Sequence, residues 1–310
     1  MGEHVQRTKK QKKLLSLLPQ GFHWVGNRNV YVIGNHILNK GNLDVCLYNP
    51  DDAFNYDLSA ISTQDAVRWV KLYLSQGPNK AVLLLAALTP YPRTLSDYFA
   101  LPTRTVHSYF LGSSGTGMTS FAKLLTESSA INLGTDTAAL YAVLQTLTDR
   151  PVLIDDLNLA SSPREAEKKL EKLTSLVHLT SSGGTTIVRG TEIKINRLAL
   201  IATGEYLPVS ASTRNRMVLV KCSEPFPSEA LTELQAHKNM FPAFVVAFLK
   251  WLLPREGKIC TMIAGNLVND TFEYKGKCGP QEQYVGYQRS MASNKLLKIT
   301  CHVLMNFFCS

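Results

Sequence analysis

The stretch from Gly112 to Thr119, Gly112-Ser113-Ser114-Gly115-Thr116-Gly117-Met118-Thr119, concentrates the chemistry this sequence could perform. Its glycines let the backbone curl so that successive N–H groups converge on an anion, and a helix starting there adds the positive end of its dipole. The spacing Gly-x-x-x-x-Gly-x-Thr suits a phosphate, and Thr119 carries a hydroxyl able to ligate Mg²⁺. Cradles of this kind ordinarily place a lysine after the second glycine; here Met118 stands in that position, filling similar space without charge. Lys123 follows five residues later. That is about 140° around a helix from Met118, so it is a poor substitute. A glycine-serine surface loop is the plain alternative.

Downstream, the apolar run Val152-Leu153-Ile154 ends in Asp155-Asp156. A buried strand of this kind delivers its terminal acids to one edge of a sheet. There Asp155 can face Mg²⁺ and Asp156 can orient or deprotonate an attacking water. A strand that merely exits into an acidic turn has the same pattern. A second apolar run, Leu198–Ala202, ends at Thr203 and is followed by Gly204-Glu205. Arg214 and Arg216 stand just before the β-like Met217–Val220, either aimed at an anion or forming a solvated basic turn.

The elements that must position these groups alternate in type. Thr105–Leu111 predicts a strand running into the glycine loop, and Phe121–Ser128 predicts a helix after it. Pro151–Asp156 predicts a second buried strand, and Pro163–Leu179 a charged amphipathic helix opened by Ser162-Pro163 with Glu165 in its first turn. Met217–Val220 predicts the last core strand. Strands alternating with helices imply a mostly parallel α/β sheet with helices on both faces. Upstream, Ser62–Asp65 reads as a helix start followed by an apolar face at Ala66, Val67, Trp69, Val70 and Leu72–Leu74, with a second helix over Asn79–Leu88. The earlier residues are turn-rich, with short extended pieces at Val30–Ile33 and Asp44–Tyr48; beyond Pro227 the pattern is helical, clearest over Ala243–Leu253. The expected organisation is a basic β-rich region over 1–60, a core over 61–225 and a helical region over 226–310. The apolar stretch Lys295–Ser310 lacks a helix stop signal and reads as a truncated or frame-shifted end.

Bulk composition agrees with a folded chain. Hydrophobic residues make up 45% and charged residues 18% of the 310, which excludes wholesale disorder. The net charge of +9, with Arg7, Lys9, Lys10, Lys12 and Lys13 clustered near the start, points toward a polyanion such as nucleic acid. None of the six cysteines forms a C-x-x-C pair or zinc-finger spacing, so scattered reduced thiols are expected. The longest apolar runs, Ala81–Leu88 and Phe241–Leu253, fall short of the roughly 20 residues needed to span a bilayer. A cytoplasmic protein with no membrane partner is expected.

The order of motifs resembles that of AAA+-type P-loop ATPases on the superfamily 3 and MCM side. It is most similar to the helicase-like ATPases of bacterial plasmids, prophages and integrative elements. The residues carrying the resemblance are the Gly112–Thr119 loop, Asp155-Asp156, Thr203-Gly204-Glu205 and Ser212 to Arg216 before a strand, covering roughly Ser62–Val220. The resemblance implies ATP and Mg²⁺ as ligands and a P-loop with a degenerate lysine position at Met118. Thr119 and Asp155 would be at the metal and Asp156 at the water. Leu198–Ala202 would be inserted between the other two strands, so that Thr203 sits near the γ-phosphate. It also implies a homo-oligomer in which Arg216, or else Arg214, reaches a neighbour's phosphate. A DNA-touching hairpin would match Thr185–Ile195, with Arg189 and Lys194 on it and Arg197 just after, although a plain surface hairpin has the same sequence signature. The implied function is a DNA-associated ATPase of mobile-element replication or maintenance, impaired in hydrolysis. The alternative is a non-hydrolysing nucleotide-binding scaffold or regulatory protein.

Overall fold

The computed structural model describes residues 16–310 apart from 19, 48–60, 102, 104, 114, 127–130, 135–139, 141–148, 158–161, 183–184, 189–190, 195–197, 207–209, 224–227 and 268–280. The basic cluster Arg7–Lys13 therefore lies outside the described residues.

The chain begins with short strands β1 (Ser16–Leu18), β2 (Gly21–Val25), β3 (Arg28–Ile33), β4 (His36–Leu38) and β5 (Val45–Leu47). β2, β3 and β4 form an antiparallel meander, and β1 pairs with β5 in parallel. Helix α1 (Thr63–Ser75) starts where the sequence predicts: Ser62 Oγ accepts from the Asp65 N–H at 3.1 Å, satisfying one orphan donor of the first turn. Helices α2 (Pro78–Leu88) and α3 (Arg93–Tyr98) follow.

The central sheet contains β6 (His107–Gly112), β7 (Ile131–Asn132), β8 (Arg150–Leu157), β11 (Leu198–Gly204) and β12 (Met217–Cys222). Their spatial order is β12-β6-β11-β8-β7, and every neighbouring pair is parallel. Parallel pairing requires crossovers, supplied by α4 (Met118–Thr126), α5 (Pro163–Ser182) and the short α6 (Ala211–Arg214). The alternation of strand side chains divides the core in two. Phe110, Leu153, Ile201 and Val220 face one apolar cluster with residues of α1, α2 and α4. Tyr109, Val152, Ile154, Leu200 and Met217 face the other, with Leu173, Leu176 and Val177 of α5. Both faces of the sheet are covered by helices, which is why its strands read as nearly continuous apolar runs.

A two-stranded hairpin precedes β11: β9 (Thr185–Val188) pairs antiparallel with β10 (Thr191–Lys194). After the sheet come α7 (Ser228–Ala236), α8 (Met240–Leu252), a 3₁₀ turn at Leu253–Arg255, α9 (Glu256–Leu267) and α10 (Gln281–Phe308). The apolar stretch after Lys295 belongs to α10. Phe307 sits against Phe244, Phe248 and Trp251 of α8 with ring centroids 5.5–5.6 Å apart, and Ile299, Val303 and Leu304 are buried in the same cluster.

The meander is docked by polar contacts to distant residues. Asp149, just before β8, accepts from the Phe22 N–H at 2.9 Å through Oδ2, lies 3.7 Å from Arg93, and accepts the Tyr31 hydroxyl through its carbonyl. Asn29 of β3 donates to the Leu253 carbonyl at 3.2 Å and to Glu256. Phe22, Tyr31, Ile33 and Leu38 share the large apolar cluster with α1, α2, α8 and α10. No helix among the described residues is long and apolar enough to cross a membrane.

Candidate functional site

The glycine loop leaves the carboxyl end of β6 and enters α4. Gly115 and Gly117 have φ of +88° and +71°, the left-handed region that glycine enters without steric cost. Gly112 is required for a different reason. A Cβ there would stand 2.7 Å from the Cys222 carbonyl oxygen of the neighbouring strand β12. The turn is tied internally, Thr116 Oγ1 donating to the Ser113 carbonyl at 2.9 Å. Phe121 N–H bonds the Gly117 carbonyl at 3.1 Å, so the N–H groups of Met118, Thr119 and Ser120 belong to the first turn, where helices have no internal acceptor. Ser114 lies outside the described residues.

Three side chains meet at the carboxyl ends of three adjacent strands and the start of α4. Thr119 Oγ1 donates to Asp155 Oδ1 at 3.2 Å, Thr203 Oγ1 does so at 3.3 Å, and the two hydroxyls are 2.9 Å apart. β11 brings Thr203 there by lying between β6 and β8. The β11–β8 register slips between Ala202↔Ile154 and Gly204↔Leu157, so Asp155 and Asp156 together oppose Thr203. Such a bulge re-aims the strand next to the site. Asp156 is described by its backbone alone.

Two side chains have surroundings that the sequence did not indicate. Met118 is buried at 5% exposure in the apolar cluster that also holds Phe121 and Leu125, rather than lying in the loop. Lys123 Nζ stands 3.4 Å from Asp155 Oδ2, with its own side chain 52% exposed. Measured from Met118 it is on another face of the helix. Measured from Thr119 it is one turn along the same face. The i, i+4 spacing of Thr119 and Lys123 was the signal available.

The oxygen donors fit a hard divalent cation: a hydroxyl and a carboxylate in contact, beside the positive-φ glycine loop. Mg²⁺ takes only one or two carboxylates and completes its shell with waters and phosphate oxygens. No larger group of His, Cys, Asp or Glu is gathered among the described residues, and none is needed for this ion.

Arg216 lies elsewhere. Met217 pairs with His107 and Cys222 with Gly112, so Arg216 is at the opposite end of the sheet from the loop. At about 3.3 Å per residue the separation along the strand is roughly 20 Å. Its guanidinium donates to the Ser212 carbonyl at 2.8 Å, and its pKa is lowered by burial and then by Arg289. The nearby His107 is fully buried, accepting the Leu200 N–H at 3.2 Å through Nδ1; burial, then Arg216, hold its pKa down to about 4. That histidine is a neutral structural bridge. Of the hairpin residues, Arg189 and Arg197 lie outside the described set, and Lys194 is placed by its backbone at the end of β10, opposite Thr185.

No family model matches the chain, and no curated protein matches it. Among solved structures it is similar to one described as SCCmec type IV Cch, an active helicase. The TM-score is 0.62 and the identity 18%, over 93% of this chain and 56% of that one. The JCV helicase (12% identity, 77% of this chain and 75% of that one) and a full-length MCM homolog from Methanopyrus kandleri (9%, 77% and 56%) align with TM-scores of 0.34 and 0.38. Those two scores are too low to carry weight. The chain spans little more than half the length of the Cch structure. At this identity the likeness to Cch establishes the fold alone: an α/β core with a five-stranded parallel sheet flanked by helices.

Proposed function

We propose that the chain is a nucleotide-binding, DNA-associated ATPase of the AAA+ helicase-like type, serving mobile-element replication or maintenance and weakened in hydrolysis. The observation that carries this reading is the contact of Thr119, Asp155 and Thr203 beside a positive-φ glycine loop, on a sheet ordered β12-β6-β11-β8-β7. In this reading the loop amides hold the phosphates of ATP. Thr119 and Asp155 hold Mg²⁺, which when bound neutralises charge on the phosphate oxygens. Asp156 orients the water and Thr203 contacts the terminal phosphate. Met118, its side chain turned into the apolar core, leaves the loop without the cation that would act on developing charge. Arg216 is too far from its own loop and serves a neighbouring subunit. The β9–β10 hairpin with Arg189 and Lys194, and the net charge of +9, supply the contact with DNA.

The second reading is a non-hydrolysing nucleotide-dependent scaffold, favoured by the burial of Met118 in the core. Nucleotide binding and turnover by the purified chain, with and without single-stranded DNA, separate the two. Slow turnover stimulated by DNA, with DNA affinity falling steeply as salt rises, is expected from the first. Tight binding without turnover supports the second. No nucleotide binding at millimolar ATP overturns both.

A further inference from the structure

Lys123 stands out among the described cations around this site, because it is joined to the acid that would hold the metal. Its ammonium lies 3.4 Å from Asp155 Oδ2, while Oδ1 of the same carboxylate accepts from Thr119 and Thr203. The carboxylate therefore already has a cation beside it. Three features make this cation transferable. The lysine side chain is 52% exposed, and an ion pair so open to water contributes little to stability, so breaking it costs little. Lys123 is one helical turn beyond Thr119, about 6 Å along the axis, and helical side chains lean toward the N-terminus. Its four-carbon stem thus leads toward the loop. Finally, Met118 leaves the lysine position of the loop without charge, its side chain buried in the apolar core.

Resting on the nucleotide-site reading above, we propose that Lys123 is the phosphate-binding cation of this site and changes partner on ligand binding. Without nucleotide its ammonium neutralises Asp155. With a nucleoside triphosphate it passes to a terminal phosphate oxygen, opening its own place beside Asp155 Oδ2 to Mg²⁺. Asp155 and the phosphate compete for the same ammonium, so the two are coupled with a definite sign. In the absence of metal, Asp155 opposes triphosphate binding by holding Lys123 back. In a phosphate loop whose lysine sits at the helix start, that acid has no such hold.

The test is calorimetric titration of the full-length chain with ATP and with ADP, in Mg²⁺ and in excess EDTA, for wild type, Lys123→Met, Lys123→Arg and Asp155→Asn. Lys123→Met is expected to weaken ATP binding in EDTA about tenfold or more, the range for losing a charge-assisted hydrogen bond, and ADP binding less. Lys123→Arg is expected to retain most of the affinity. Asp155→Asn is expected to tighten ATP binding in EDTA several-fold while abolishing the gain on adding Mg²⁺. The exposure of Lys123 means its variants should keep the wild-type circular dichroism and melting temperature. Wild type binding ATP with Lys123→Met and Asp155→Asn unchanged in EDTA overturns this inference and leaves the nucleotide site standing. Wild type binding neither nucleotide in either buffer overturns the site, and the inference with it.

Discussion

Met118 occupies the position on which phosphate chemistry ordinarily depends, and its thioether is packed inward. A lysine there would have to draw its ammonium back toward the loop along the same stem, giving up packing that methionine supplies. Met118→Lys is therefore expected to lower stability by about 1–3 kcal/mol. It should at the same time tighten ATP binding tenfold or more, a gain lost on adding Asp155→Asn in Mg²⁺. Thermal melts and ATP titrations of both variants check this; a plain glycine-rich turn would show the stability loss with no change in affinity. The turn at Gly112–Thr119 was legible because its left-handed backbone positions call for a local run of glycines. The burial of Met118 and the reach of Lys123 were not, because both depend on which helix face meets β8 and the core.

At the scale of elements, four of the five strands of the central sheet were readable as apolar runs, two of them leading into acids or a hydroxyl, and each ends beyond its apolar stretch. β7 escaped notice because two residues, Ile131 and Asn132, carry no periodicity. The length of α10 was obscured by its glycine, serines and mixed polarity before Leu296, so only its aromatic end stood out. Least legible were the polar docks between elements, made by residues more than a hundred positions apart. One of them titrates. Glu256 of α9 is 3% exposed and meets Asn29 of β3 and Thr94 of α3 through Oε2. Burial raises its pKa to about 7 from 4.5, with the two hydrogen bonds opposing and Asp97 adding to the rise. The folded chain holds this proton more tightly than the unfolded chain, so stability falls as pH climbs from about 4.5 to 7 and is flat above. The contribution is of order 3 kcal/mol at most. Glu256→Gln should remove it: the melting temperature of wild type relative to the variant is expected to drop between pH 5 and 7 and then stay constant. A difference that does not vary with pH would show that Glu256 is ionised in the fold throughout.

For the whole molecule, the separation of the glycine loop and Arg216 at opposite ends of β6 and β12 requires any joint action to occur between copies. Arg216→Ala is expected to leave ATP binding within about twofold while lowering turnover at least a hundredfold, the scale of losing one group that acts on developing charge. A chain that stays monomeric by light scattering, with and without nucleotide and DNA, overturns this. The large apolar cluster has a separate consequence for how the chain acquires its structure. It is assembled from Phe22 and Tyr31 near one end and Val303 and Phe307 near the other, and Asn29 bonds a carboxylate 227 residues away. Closing loops of that length must be paid in entropy before the contacts they permit can repay it, which slows folding. On the ribosome the central sheet and α8 emerge before the end of α10, so Phe244, Phe248 and Trp251 wait without the Phe307 ring they pack against. The nascent chain is then most prone to aggregation in the interval before Phe307 arrives.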